Sequence, residues 1–429
     1  MGFMIRAGHL IALCVVSMLT IGVVMVNSAV MSVSRVGLSA PAAPALTADA
    51  IIFSRQTLYM AMAVVAMGIG AMLPVRRLLH ALPGPYEPND IVGVGKPLAL
   101  VGGAMLVACA LVYVPGLGAE INGAHRWLRL PIPGIGDALS VQPSELAKWG
   151  LIPLIAWFCW ARASVMGEFI RGLVPILFLV GLISGFIILE DLGTGALIGG
   201  MACLLLIAGG AKVWHFLLCV PVGVLGLGAA ILSSDYRRKR ILAFLDPYED
   251  PKGIGYHTVQ SLVSVANGKG FGRGLGHGLQ KFGYLPEDKN DFIFAVICEE
   301  LGIAGAALVC GLFGMLLVAS FSVAKRERNT ILRLIAFGIP AMVGFQAVFN
   351  LAVVTGLAPN KGIALPLLSA GGTGWILTAF SLGIVIAIDR TRVAQSELPV
   401  IDTHPAASEA QAIPASPAPT PDNATPAQA

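Results

Sequence analysis

Continuous apolar runs separated by short polar segments fill the sequence from about residue 9 to residue 388. Runs of membrane-spanning length fall at about 9–30, 57–74, 97–114, 146–161, 173–189, 192–211, 213–232, 292–320, 334–354 and 367–388. A bilayer core needs about 20 apolar helical residues, so the pattern predicts an all-α polytopic membrane protein with about ten transmembrane helices. The runs are continuous instead of alternating with period two, which argues against a β-barrel. Arg6 before the first run and Ala29 near its end suggest a signal peptide. The run is nevertheless longer than the usual apolar stretch of one, and further spans follow, so it is read as a retained first helix.

Basic residues orient the helices. With the N-terminus in the cytoplasm, inside segments carry Arg6, then Arg76, Arg77 and Lys96, then Arg162 and Arg171, then Lys212, then Lys325, Arg326, Arg328 and Arg333, and finally Arg390 and Arg392. That is the bias of cytoplasmic loops. Both termini are then cytoplasmic, and the outer segments are 31–56, 115–145, 233–291 and 355–366. The large extracytoplasmic loop 233–291 lies between helices 7 and 8. Arg237, Arg238, Lys239 and Arg240 fall in it against the rule, and a basic cluster there suits an anionic substrate. Residues 31–50 read as a Pro/Ala-rich outer loop. Residues 393–429, rich in Pro, Ala, Ser and Thr, read as a disordered cytoplasmic tail behind a membrane domain of 1–392.

Composition agrees with this class. Of the 429 residues 56% are hydrophobic and 12% charged, against about 25% charged in soluble domains. The net charge of +4 comes with no basic stripe interleaved with aromatics, so nucleic acid is not an expected partner. All seven cysteines lie in or beside apolar runs, outside any CxxC or Cys/His cluster, which disfavours a disulfide framework or structural zinc.

Candidate chemistry gathers at segment junctions. Residues 273–300 form a polar, aromatic and acidic stretch that runs into an apolar segment, placing Asp291 where a membrane helix should begin. A carboxylate there can act on a lipid-borne substrate from the aqueous side. Asp291, Ala295 and Glu299 recur every four residues, one face of a helix; by themselves Glu299 and Glu300 fit a proton-coupled transporter as well as an enzyme. Pro143 to Lys148 reads as a helix start in which Glu145 and Lys148, three apart, can pair locally, or Lys148 can meet a phosphate or the catalytic carboxylate. Arg126 and Trp127 suit an interfacial anchor. The glycines from Gly253 to Gly278 lack a Walker ending, so turns between short re-entrant or amphipathic helices explain them better than a nucleotide loop. The interrupted stretch 355–375, with Lys361 and Ser369 as polar members, can close over the same cavity or simply enter the last helix.

Several long motifs in order resemble the SEDS family, the shape, elongation, division and sporulation membrane proteins. They are NGAHRW at 122–127, QPSELAK at 142–148, RRKRILAFLDP at 237–247, QS at 260–261, GRGLGHGLQKFGYLPE at 272–287, DFIFAVICEELG at 291–302 and LPLLSAGGTG at 365–374. Gln280-Lys281 after the glycine-leucine-glycine run is closer to the division branch than to the rod-elongation branch. Three places depart from the family pattern: Lys289-Asn290 precedes Asp291 instead of His-Thr, a Gln-Pro-Asp-Leu-Gly-Thr motif appears as Leu189 to Thr194 with Asp191 kept and the proline before it lost, and Ala370, Thr373 and Gly374 stand where a tyrosine and paired serines are usual.

The resemblance implies a peptidoglycan glycosyltransferase that polymerises lipid II, the undecaprenyl diphosphate-linked disaccharide peptide, on the outer face of the bacterial cytoplasmic membrane at the division site. It implies Asp291 as the essential acid and a class B penicillin-binding protein as partner, with other divisome membrane proteins nearby. Candidate substrate contacts are Arg126, Glu145, Lys148, Arg237, Arg238, Lys281, Lys361 and Ser369. No cofactor is required by the motifs, and a divalent cation, magnesium or manganese, is left open as a counter-charge to diphosphate. A lipid II flippase, a rod-elongation polymerase and an inactive scaffold are the alternatives.

Overall fold

The computed structural model describes residues 6–33, 48–87, 89–115, 117–121, 124–129, 140–278, 290–360, 362–370 and 372–397. Its helices are α1 (Ala7–Val33), α2 (Ala48–Ile52), α3 (Arg55–Met72), α4 (Val75–Leu79), α5 (Ile91–Ala110), α6 (Pro143–Ala161), α7 (Val174–Glu190), α8 (Leu192–Ala208), α9 (Val213–Leu232), α10 (Asp235–Leu245), α11 (Tyr256–Asn267), α12 (Ile293–Arg326), α13 (Thr330–Val354) and α14 (Gly372–Glu397). Each predicted apolar run coincides with one long helix. Seven are long and apolar enough to cross a membrane, while Arg55–Met72, Pro143–Ala161 and Leu192–Ala208 stand at predicted positions without meeting that standard. The all-α class of the membrane bundle holds, with one small addition outside it. Between α5 and α6 lies a small antiparallel sheet, β1 (Gly118–Ile121), β2 (Ala124–Arg129) and β3 (Ser140–Val141), in that order, with Ala119 opposite Trp127 and Leu128 opposite Val141.

Local chemistry sets the helix starts. Ser54, Asp90, Asp191 and Asn329 each accept a backbone N–H of the first turn that follows, satisfying donors that a helix N-terminus leaves open. Pro143 occupies the first turn of α6, where its missing N–H costs nothing. The expected amphipathic pieces of the large loop are α10 and α11. Ser261 of α11 donates its hydroxyl to the Val354 carbonyl at 2.8 Å, fastening α11 to α13.

The bundle centres on α12 and α13. α1 packs along α12, and α13 packs against α6, α8 and α12; α9, by contrast, buries only Phe216. The first and last helices meet closely. A Cβ at Gly22 would stand 2.9 and 3.0 Å from the carbonyl oxygens of Leu367 and Leu368, and the Gly8 N–H donates to Asp389 at 3.1 Å. Gly70 of α3 lies on the Phe380 carbonyl, and Gly383 of α14 on that of Met67.

α12 is two helices in line. Gly302 has φ 66° and ψ −158°, a region open essentially to glycine, and the hydrogen-bond ladder breaks there. The segment 268–278 repairs the break from outside: the Arg273 and Gly274 N–H groups donate to the Glu299 and Glu300 carbonyls at 3.0 and 2.9 Å, and the Ile303 N–H donates to the Lys269 carbonyl at 3.1 Å. Gly272, at φ 77°, sits on the Glu300 carbonyl where any side chain would collide. Both acids are fully buried. Glu300 accepts from Ser28 of α1 at 2.9 Å and from the Gly276 N–H at 3.0 Å, and Glu299 Oε1 lies 3.9 Å from Arg273 Nε. The expected shared face of Asp291 and Glu299 is therefore corrected. Asp291 precedes the helix, and Glu299 is packed beneath the glycine segment.

Gly302→Ala should lower the melting temperature of the purified protein, because the strained backbone alone costs about 1–3 kcal/mol. Gly311→Ala, in open space on the same helix, should leave it nearly unchanged in the same thermal-unfolding assay.

Candidate active site

Asp291 is half-buried at the entrance of α12, immediately before its capping residue Phe292. Its backbone carbonyl accepts from Asn350 Nδ2 at 2.8 Å, and the same amide donates to the Ile363 carbonyl at 2.7 Å. One buried amide thus ties the acid's backbone to the segment that returns toward α14. The carboxylate faces that segment: Oδ2 would lie 3.3 Å from a Cβ at Gly362, whose φ of 53° favours glycine. On the α11 side the His257 ring stacks on Phe292, with centroids 6.1 Å apart.

A second amide repeats the device one turn deeper. Gln346 donates to the Ala364 carbonyl at 2.8 Å and accepts from Lys148 Nζ at 3.1 Å. Lys148 is buried and holds Glu145 at 2.7 Å. The local pair read from the sequence is present, and Gln346 carries it to the 360–369 segment. Ser369 is buried and accepts the Leu365 N–H at 2.7 Å, which closes the turn in which Leu367 takes φ 63°. Arg240 reaches the same segment, donating to the Asn360 carbonyl at 3.2 Å.

The remaining arginines form a neighbouring group. Arg126 on β2 donates to the Glu190 carbonyl at 2.6 Å and lies 3.9 Å from Asp191. Tyr113 donates to the Glu190 carboxylate at 2.7 Å. With Gln142, Pro143, Ser144 and Phe186 these residues line a small open cleft, so the first turn of α6 borders both groups. Arg237 donates to the carbonyls of Ala230, Ile188 and Leu189, a cation at the C-terminus of α7 where the helix dipole favours it. Arg238 is exposed and pairs with Asp235 at 2.9 Å. Lys281 and Lys361 lie outside the described residues. Among the described residues, no three His, Cys, Asp or Glu side chains converge on a metal-sized site.

The sequence reading passed over Gln346, Asn350 and Tyr113, and it named Arg240 only as part of the basic cluster 237–240. Gln346 and Asn350 carry a legible signal, two amides four residues apart in an otherwise apolar run.

A family model described as "Cell cycle protein", FTSW_RODA_SPOVE, matches residues 8–394. The chain belongs to this family, the SEDS proteins. Among its SEDS relatives, the probable peptidoglycan glycosyltransferase FtsW of Geobacter metallireducens is 38% identical over 66% of this chain and 74% of its own. Stage V sporulation protein E of Bacillus subtilis is 39% identical over 67% and 78%. A chain solved in a peptidoglycan synthase complex, described as coordinating polymerization and crosslinking, superposes with a TM-score of 0.64 at 28% identity, covering 89% of this chain and 97% of that one. The SEDS motif QPSELAK is thus the Pro143-led start of α6 with its Glu145–Lys148 pair, and LPLLSAGGTG includes the turn held by Ser369.

Lys148→Met should destabilise the protein by about 3–5 kcal/mol, because it strands a largely buried carboxylate. Adding Glu145→Gln should recover much of the loss, with chemical or thermal unfolding in detergent as the measurement.

Proposed function

We infer that this integral membrane protein is a peptidoglycan glycosyltransferase that polymerises lipid II into glycan strands, of the septal, FtsW-like kind. The supporting observation is the placement of Asp291: a half-exposed carboxylate at a helix entrance, its backbone fixed by Asn350 and its side chain beside an unwound glycine-containing segment. Such a carboxylate takes the proton from the acceptor sugar's hydroxyl as that oxygen bonds to the donor's anomeric carbon and the bond to the undecaprenyl diphosphate oxygen breaks. The anomeric carbon inverts, and the diphosphate leaves carrying the bond's electrons.

The basic candidates divide by what they already hold. Arg126, bonded to the Glu190 carbonyl, borders the cleft, and Arg238, paired with Asp235, is exposed, so both can reach a diphosphate; Lys148 is buried and Arg237 holds three backbone carbonyls, so these two position the surrounding structure. A divalent cation, magnesium or manganese, would arrive with the diphosphate as counter-charge. The orientation set by the basic loops puts Asp291 on the outer face and both termini in the cytoplasm. The partner is a class B penicillin-binding protein, by analogy with the solved synthase complex, and other divisome membrane proteins would gather with it at the division site.

The test is lipid II polymerisation by the purified protein with its cognate transpeptidase, wild type beside Asp291→Asn. The variant should keep the wild-type melting temperature and lose product formation by about 100-fold or more. Normal polymer yield from a folded Asp291→Asn protein would remove the base from the mechanism.

A further inference from the structure

From Lys269 to Gly278 the sequence alternates side chain and glycine: Lys269, Phe271, Arg273, Leu275 and His277, with glycine at every position between and after. The structure gives the alternation a meaning. Gly268, Gly272 and Gly278 lie against Cys298, Glu299 and Glu300 of α12, and Gly274 and Gly276 donate their N–H groups to Glu300. All five side chains are exposed, Phe271 at 92% and Leu275 at 48%. The segment is a comb whose glycine spine is fastened to the helix break and whose teeth read basic, apolar, basic, apolar, basic.

Its depth follows from helix length. α12 has 34 residues, about 51 Å at 1.5 Å per residue, well beyond a hydrocarbon core of about 30 Å. The part from Ile303 to Ala324 carries no charge and ends at Lys325 and Arg326; at about 33 Å it spans the core by itself. Residues 293–300 are buried by protein throughout, whereas Ile303 is 70% and Val318 72% exposed. The break at Gly302 therefore marks the membrane–water boundary on the Asp291 side, and the comb lies on that boundary beside it.

We propose that this comb is a binding site for the headgroup of an anionic phospholipid in the adjacent leaflet, the outer leaflet in the orientation given above. Phe271 and Leu275 enter the acyl region, as amphipathic interfacial segments do. Lys269 and Arg273 then meet the phosphate at the surface. Glu299 and Glu300 beneath are fully buried, Glu300 accepting from Ser28 and the Gly276 N–H and Glu299 lying beside Arg273, so among residues 269–278 the exposed charged side chains are cations. The inference stands apart from the polymerase reading, since lipid selection does not depend on catalysis.

The experiment extracts the full-length protein from vesicles of equal phosphatidylglycerol and phosphatidylcholine and counts retained lipid by native mass spectrometry. Wild type should retain phosphatidylglycerol preferentially. Lys269→Gln should cut the preference by about five-fold and Lys269→Gln/Arg273→Gln should abolish most of it, given about 1 kcal/mol per basic side chain at an anionic surface. The single variant leaves the Arg273–Glu299 contact in place and guards against a folding defect in the double one, with melting temperature read alongside. An unchanged preference in both variants overturns the proposal. So does an unchanged preference with reduced co-purification of the transpeptidase, which would make the comb a protein interface.

Discussion

A peptide group cannot go unbonded where water is scarce, and the break in α12 is the place where this protein must meet that demand. Opening the ladder at Gly302 frees carbonyls above it and amides below it. The stretch 268–274 supplies the complementary groups in one pass, amides to Glu299 and Glu300 and a carbonyl to Ile303. Close approach of one backbone to another needs glycine at Gly268 and Gly272. The two buried acids then complete the joint, since Glu300 draws in Ser28 of α1 and the Gly276 amide. Carboxylates that look like membrane chemistry in the sequence are, in the fold, the fastening between a loop and a broken helix.

The region around Asp291 follows the same economy. Irregular backbone between α13 and α14 is held by side-chain amides from α13, with Asn350 and Gln346 each reaching a carbonyl of the returning segment. Because Asn350 also holds the Asp291 carbonyl, the acid and the segment facing it share one support. The two bonds from Asn350 Nδ2 tether the Asp291 backbone to the segment it faces, and a fixed position is what a proton acceptor requires while a lipid-borne sugar arrives.

Much of this was legible in the chain. Apolar runs located the long helices, seven of them among the described residues long and apolar enough to cross a membrane, because a helix in lipid must be apolar along its whole length. Pro143-Ser144-Glu145 announced the start of α6, and the Glu145–Lys148 spacing announced their pair. The break at Gly302 was not legible, because a lone glycine in an apolar run is ordinary and the groups that satisfy the break lie some thirty residues upstream. Arg237 was read as an anion contact from charge alone; that it spends its donors on Ala230, Ile188 and Leu189 depends on how α7 and α9 end against each other. Short strands between α5 and α6 left no clear alternation for a period-two pattern to register. Asn350 was visible as a polar residue in a membrane run, but its two partners are set by tertiary structure.

The contact of Gly22 with the turn at Leu367 and Leu368, together with the Gly8–Asp389 bond between residues 381 positions apart, joins α1 to chain made long after it. During insertion α1 enters the bilayer long before α14 exists, with its packing surface still solvated by lipid. Its seat against α14 is completed only after α14 leaves the ribosome. A chain interrupted before α14 would leave α1 without this partner.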